Sequence, residues 1–138
     1  IPGVMSATAC AALLGAPLMN DFAMISLSDL LTEWKEIRNR LDAAAGSDFV
    51  IVLYNPRSKT RTKPLARAWG IIKKYRPPKT PVGIVRNAYR CGEAVKIMPL
   101  KDASGLKDID MTTTIIVGNS STYIKNGYII TPRGYKIR

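Results

Sequence analysis

FVIVLYNPRSKTRTKPLARAWGIIKKYRPPKTPVGIVRNA, residues 49–88, reads as strand, connection, helix and strand in turn. Phe49–Leu53 is a continuous apolar run bounded by turn residues, the pattern of a strand buried on both faces. Tyr54–Thr62 is a polar connection. A helix follows from Lys63 to Tyr75, with Pro64 tolerated in its first turn and Pro77–Pro78 beyond its end. Leu65, Ala68, Trp69 and Ile72 share one helical face, so Trp69 is predicted to be core. Pro81–Val85 is the next apolar strand.

Working outward, Val4–Leu18 is rich in Ala and Leu and ends at Gly15 and Pro17, which predicts a helix apolar on nearly every side. Phe22–Ser26 is a short strand. Ser28 and Asp29 offer caps for an amphipathic helix over Leu30–Ala45, closed by Gly46. Downstream, Val95–Leu100 reads as a strand, Ser104–Ile109 as a short helix or turn, and Thr112–Val117 as another buried strand. Tyr123–Thr131 contains Asn126–Gly127, the signal of a terminal β-hairpin. Strands alternating with helices predict one α/β domain, layered αβα around a mostly parallel or mixed five-stranded sheet.

The chain carries 21 Lys and Arg against 10 Asp and Glu, a net charge of +11. From Phe49 to Gly92 it holds eleven Lys and Arg and no acid, so the excess is local. A field concentrated in this way attracts an anion. Arg67, Lys73, Lys74 and Arg76 lie on or just after the Lys63–Tyr75 helix and read as solvated cations near its C-terminus. Nucleic acid fits the charge, but the block has no interleaved aromatic platform and no known nucleic-acid-binding pattern.

Several chemistries are excluded. The chain has no histidine, which removes Ser–His–Asp and Cys–His nucleophiles. Two cysteines make neither a disulfide framework nor a zinc site, and Cys10 and Cys91 are expected to be small buried residues. No apolar run is long enough to span a membrane. Val4–Leu18 lacks the basic flank of a signal peptide. There is no P-loop and no GxGxxG. Asp21 and Asp29, the only acids near a candidate strand end, read as caps or turn residues.

In open α/β sheets ligands bind beyond the carboxyl ends of strands. Three such ends carry an Asn: Tyr54–Asn55–Pro56–Arg57–Ser58, Arg86–Asn87, and Gly118–Asn119–Ser120–Ser121–Thr122. Two of them add an Arg, and Arg57 and Arg86 suit carboxylate or phosphate through paired hydrogen bonds. Together they predict a polar, cationic crevice.

These loops carry a resemblance. LYNPRS (53–58), PVGIVRNA (81–88), IVGNS (116–120) and TPRGY (131–135), with IPGV (1–4), LGAPL (14–18) and ISLSDLL (25–31), resemble the precorrin-3B C17-methyltransferases within the tetrapyrrole methylases. The likeness runs in order along essentially the whole chain. It implies methylation of C17 of a corrin precursor from S-adenosylmethionine, with contraction of the macrocycle, in cobalamin biosynthesis. The substrate would be precorrin-3B or cobalt-factor III, a polycarboxylate. It implies a two-domain, dimeric, cytoplasmic enzyme needing neither a metal, nucleic acid nor a membrane. Residues 1–20 would end the N-terminal domain and form the inter-domain helix, and residues 21–138 would be the C-terminal domain. The chain would then be a piece of a longer protein whose Gly-rich loop lies elsewhere.

Carried over by position, the resemblance puts Met5, Ser6 and Ala7 at the domain junction beside the cofactor. It places Tyr54, Asn55, Gly83, Thr112 and Thr113 around the adenine. Gly83 and Thr112–Thr113 lie at strand starts, which implies a mixed sheet or a cofactor spanning more of the cleft. Relatives often carry Ser or Thr at Met5 and His at Asn20. Arg57, Arg86, Asn87 and Asn119, with Arg90 beside them, would hold the carboxylates of the macrocycle. No catalytic acid or base is assigned. The alternatives are another precorrin methylase, or a non-catalytic α/β domain that binds anions or nucleic acid.

Overall fold

The computed structural model describes residues 1–134. The motif residue Tyr135 lies outside them. A five-stranded sheet carries the fold, built from β2 (Phe22–Ser26), β3 (Val50–Tyr54), β4 (Pro81–Arg86), β5 (Ala94–Pro99) and β6 (Thr113–Val117). Their spatial order is β2-β3-β6-β4-β5. β2 and β3 pair in parallel, whereas β3–β6, β6–β4 and β4–β5 are antiparallel. The sheet is therefore mixed, the second of the two expected arrangements. β4 turns back through a short loop into β5, and the chain then threads β6 between β3 and β4 in the reverse direction.

Period-two alternation in the central strands builds a core on each face. Ile51, Leu53, Val82, Ile84, Ile115 and Val117 face α2 (Trp34–Gly46), α3 (Lys63–Tyr75) and α4 (Leu100–Ala103). Val50, Val52, Val85 and Ile116 face α1 (Ser6–Leu14). Trp69 is buried in the first of these cores, as its spacing predicts. Arg67 stacks on the Trp34 ring, 5.3 Å from its centroid, and so joins the two helices.

Helix α1 is shorter than its composition suggests. It buries one face only, through Ala7, Cys10, Ala11 and Leu14. Gly15 ends it at a φ of +118°, and a Cβ there would lie 2.8 Å from Tyr128 Cβ. The chain passes directly into β1 (Gly15–Ala16), which pairs in parallel with β8 (Tyr128–Ile130). β7 (Tyr123–Lys125) and β8 form the expected hairpin, with Asn126 and Gly127 in the left-handed region. Ile129, fully buried from β8, joins the α1 core.

The remaining differences are local. α2 starts at Trp34 rather than Leu30, with Glu33 at its cap position, because Ser28 and Asp29 are held elsewhere. Ser28 N donates to Ser26 Oγ at 3.2 Å, and Asp29 faces Arg61 at 3.9 Å. α4 precedes the segment expected to hold a helix or turn. Cys10 is buried as expected, but Cys91 is exposed on the β4–β5 loop. Arg76 is not a solvated cation. It is 5 % exposed and lies under the sheet edge.

Candidate functional site

Strand direction decides where the site lies. The carboxyl ends of β3 and β4 flank the amino end of β6, since Thr113 pairs opposite Arg86. Ser6 opens α1 above the same edge. These segments enclose a cleft of about 410 Å³ lined by Ser6, Cys10, Tyr54, Asn55, Asn87, Ala88, Arg90 and Thr112–Thr114, among others. The mixed sheet thus explains why residues at a strand start and residues at strand ends belong to one site.

Asn suits two of these ends by backbone conformation. Asn55 and Asn87 have φ of 47° and 50°, left-handed values that Asn tolerates better than most residues. Asn55 Nδ2 donates to Ser26 Oγ at 3.0 Å, tying β3 to β2. Its carbonyl accepts from Arg61 Nη2 at 3.2 Å. Arg61 Nη1 also donates to Leu27 O, and Nη2 lies 3.4 Å from Met111 Sδ. Arg61 therefore fastens three cleft-edge segments together. Sequence reading missed it, because one basic residue among eleven carries no local mark.

The lower wall is set by Asp110. Its Oδ1 accepts from Thr112 N at 2.9 Å, Thr112 Oγ1 at 2.7 Å and Thr113 Oγ1 at 3.0 Å. Burial pushes the Asp110 carboxyl up, but these hydrogen bonds and the charge of Arg86 outweigh it and hold the group below the usual carboxylate range. The local signal was present in Asp110-Met111-Thr112-Thr113, since Asp commonly bonds the backbone two residues on.

A pH dependence follows from this lowered group. A carboxyl depressed in the folded state contributes stability above its unfolded pKa and loses it as pH falls through the folded one. Urea unfolding of the wild type and Asp110→Asn should differ most near neutral pH. The gap should close below about pH 4, the ordinary Asp range. A gap that stays constant down to pH 3 would rule out this role.

Not every predicted site residue reaches the cleft. Ala7 and Gly83 lie in the contact between α1 and the sheet. Ala7 is fully buried, and a Cβ at Gly83 would fall 2.4 Å from Leu14 Cδ1. Arg57 Nη1 donates to Lys107 O at 3.0 Å and lines a separate hollow beside the start of α3. Arg86 Nη1 pairs with Asp108 Oδ1 at 3.1 Å. Asn119 lies at the opposite edge of the sheet, because β6 runs against β3 and β4. Its Oδ1 accepts from Ser121 N at 3.0 Å, Ser121 Oγ at 2.9 Å and Thr122 Oγ1 at 3.0 Å, which closes a buried turn. The single crevice gathering all three Asn ends is therefore corrected to two ends plus the start of β6.

Burial pushes the Cys10 thiol up, a hydrogen bond to Thr114 opposes this, and Glu93 adds to the rise. Among the described residues, Arg90 is the one charged side chain that lines the cleft. Among the described residues there is no His, Cys, Asp and Glu group able to hold a metal, and no helix long and apolar enough to cross a membrane.

Comparison with known proteins gives consistent results. The family model described as Tetrapyrrole (Corrin/Porphyrin) Methylases matches residues 1–104. A cobalt-factor III methyltransferase of Priestia megaterium is 51% identical over 136 residues, which is 99% of this chain and 25% of that protein. A probable cobalt-factor III C(17)-methyltransferase of Salmonella typhimurium is 49% identical over 99% of this chain and 56% of its own length. The chain thus spans between a quarter and about half of these relatives. Among solved structures, the methyltransferase CobJ superposes with a TM-score of 0.86 at 34% identity, covering 95% of this chain and 54% of that one. A uroporphyrin-III C-methyl transferase of Thermus thermophilus, complexed with S-adenyl homocysteine, has a TM-score of 0.58 at 18% identity over 86% and 51% of the two chains. That last likeness concerns the fold alone.

Proposed function

Since this chain belongs to the tetrapyrrole (corrin/porphyrin) methylase family, we propose that it is the C-terminal part of a C17-methyltransferase acting on cobalt-factor III or precorrin-3B. In this reading residues 1–20 enter from the preceding domain, and α1 and β1 within them pack against residues 21–138, the C-terminal domain. The full enzyme works as a cytoplasmic homodimer, methylates C17 from S-adenosylmethionine and contracts the ring. The observation that carries this reading is the reach of the likeness. At 51% and 49% identity it extends over 99% of the chain, and so takes in every segment that walls the cleft.

The cleft residues suit such a cofactor. Tyr54, Ala88 and Val4 offer apolar surface for a flat base, while Ser6, Asn55 and Thr112 supply hydroxyl and amide groups. No acid lines it. When bound, S-adenosylmethionine supplies an electrophilic methyl group on sulfur. The residues here hold and orient, with Ser6 and Tyr54–Asn55 on one side and Thr112–Thr113 on the other. Orientation of this kind supplies roughly 7–11 kcal/mol of a barrier. A carbon nucleophile provided by the macrocycle needs no histidine base, and the chain has none. Ala7 and Gly83 act indirectly, by seating α1 so that Ser6 reaches the edge.

The test is single-turnover methyl transfer by the full-length enzyme with methyl-labelled S-adenosylmethionine. Cobalt-factor III and precorrin-3B are offered separately, and the product is mapped by NMR. Label at C17 of a ring-contracted product is expected with one of them. No transfer to either, or label at another carbon, would overturn the reading.

A further inference from the structure

Resting on that reading, we propose that Arg90 is the carboxylate-binding residue of the cleft. The loop from β4 to β5 is built to present it. Asn87, Tyr89 and Gly92 have φ of 50°, 57° and 78°, so two non-glycine residues within three positions hold left-handed backbone. Such conformations persist only where surrounding bonds enforce them. Here Arg90 N donates to Asn87 O at 2.8 Å, and Glu93 N donates to Arg90 O at 3.1 Å. The main chain of Arg90 is clamped on both sides.

Its side chain is left free. Arg61, Arg76 and Arg86 each use their guanidinium on a carboxylate of the fold, and Arg57 uses its own on the carbonyl of Lys107. Arg90 enters no ion pair among the described residues. Glu93, the acid closest in sequence, has its Oε2 occupied by Tyr89 N at 2.6 Å and forms no ion pair with Arg90. The one cation lining the cleft among the described residues thus carries no ion-pair partner from its own loop. A planar guanidinium in that position matches a carboxylate bidentately.

Two carboxylates could meet it, the amino-acid end of the cofactor or an acetate or propionate of the macrocycle. The test uses the full-length enzyme with Arg90→Ala, Arg90→Lys and Lys73→Ala, the last a charge control at the end of α3. Each is titrated calorimetrically with S-adenosylhomocysteine, with 5′-methylthioadenosine, which lacks the carboxylate, and with the tetrapyrrole. A cofactor contact predicts that Arg90→Ala weakens S-adenosylhomocysteine by about 10- to 100-fold and leaves 5′-methylthioadenosine and the tetrapyrrole unchanged. A substrate contact predicts the same loss for the tetrapyrrole, read as a raised KM at constant kcat, with both adenosyl ligands unchanged. In either case Arg90→Lys recovers part of the loss and Lys73→Ala loses nothing. Arg90→Ala binding all three ligands like the wild type overturns the proposal. So does equal weakening of 5′-methylthioadenosine, which signals a damaged loop. Wild-type enzyme that shows the Arg90 dependence yet transfers no methyl group overturns the proposed function alone. Wild type that binds none of the ligands overturns both.

Discussion

Arg76→Ala should lower the unfolding free energy by about 3–5 kcal/mol, because three largely buried carbonyls lose their donor at about 1–3 kcal/mol each. Arg76 follows α3 and points under the sheet, only 5 % exposed. Its Nε donates to Gly118 O at 3.2 Å, Nη1 to Ala45 O at 2.9 Å and Nη2 to Phe49 O at 2.9 Å. Nη1 also lies 3.4 Å from Asp48 Oδ1. Those carbonyls belong to the end of α2, the entry to β3 and the exit of β6. They are the orphan acceptors that helices and strands leave at their ends. Burial pulls the Arg76 pKa down and Asp48 raises it, and a guanidinium with so high an ordinary value stays charged. Alanine removes every donor, leaves a cavity and strips Asp48 of its cation. Arg76→Lys should still cost more than half as much, because one ammonium cannot span three divergent carbonyls. Urea unfolding of the three proteins reads this directly. A loss below about 1 kcal/mol for alanine, the usual size of a surface pair, would refute the assignment.

This residue also shows where reading the sequence stops. A basic side chain after a helix and before Pro77–Pro78 is ordinarily solvated, and nothing local says otherwise. Its partners lie 27 to 42 residues away, so the demand for a donor arises only once three elements meet. Element type was legible for the opposite reason. Val50–Leu53, Val82–Val85 and Thr113–Val117 are apolar enough to declare buried strands by themselves. Direction was not legible, since apolar runs read the same whichever way a strand points. That one unknown made Asn119 look like a companion of Asn55 and Asn87. It also made Thr112 and Thr113 look misplaced, until β6 was found to run backwards between β3 and β4. Within the site, Asn55 and Asn87 were readable because left-handed strand exits favour Asn. The choice among Arg57, Arg86 and Arg90 was not, because it depends on Lys107 and Asp108 meeting the first two in space and on Tyr89 N engaging Glu93 beside the third.

Gly83→Ala should destabilise by about 1–3 kcal/mol through overpacking, and the loss should depend on one side chain of α1. Gly83 lies mid-strand in β4, opposite Ile116 of β6, where a glycine ordinarily weakens a sheet. It is there because α1 crosses close above it. A Cβ would stand 2.4 Å from Leu14 Cδ1, 2.7 Å from Cδ2 and 3.0 Å from Cγ. Leu14 is fully buried and its rotation is hindered, so α1 is expected to lift. Leu14→Ala alone opens a cavity and should cost about 2–5 kcal/mol. In the double variant the new methyl group occupies part of that cavity. The two losses should therefore fall short of their sum by about 0.5–3 kcal/mol, the range for residues in contact. Strict additivity would mean that helix and strand do not meet as described. Lifting α1 also moves Ser6, nine residues away in sequence order from Gly15 and at the mouth of the cleft. In the full-length enzyme Gly83→Ala should therefore weaken S-adenosylhomocysteine binding, and Leu14→Ala in the same chain should restore part of it. A purely global destabilisation would not produce that recovery, because Leu14→Ala by itself lowers stability further. The direction of the affinity change in the double variant separates a glycine that seats a helix over the site from one that merely tolerates it.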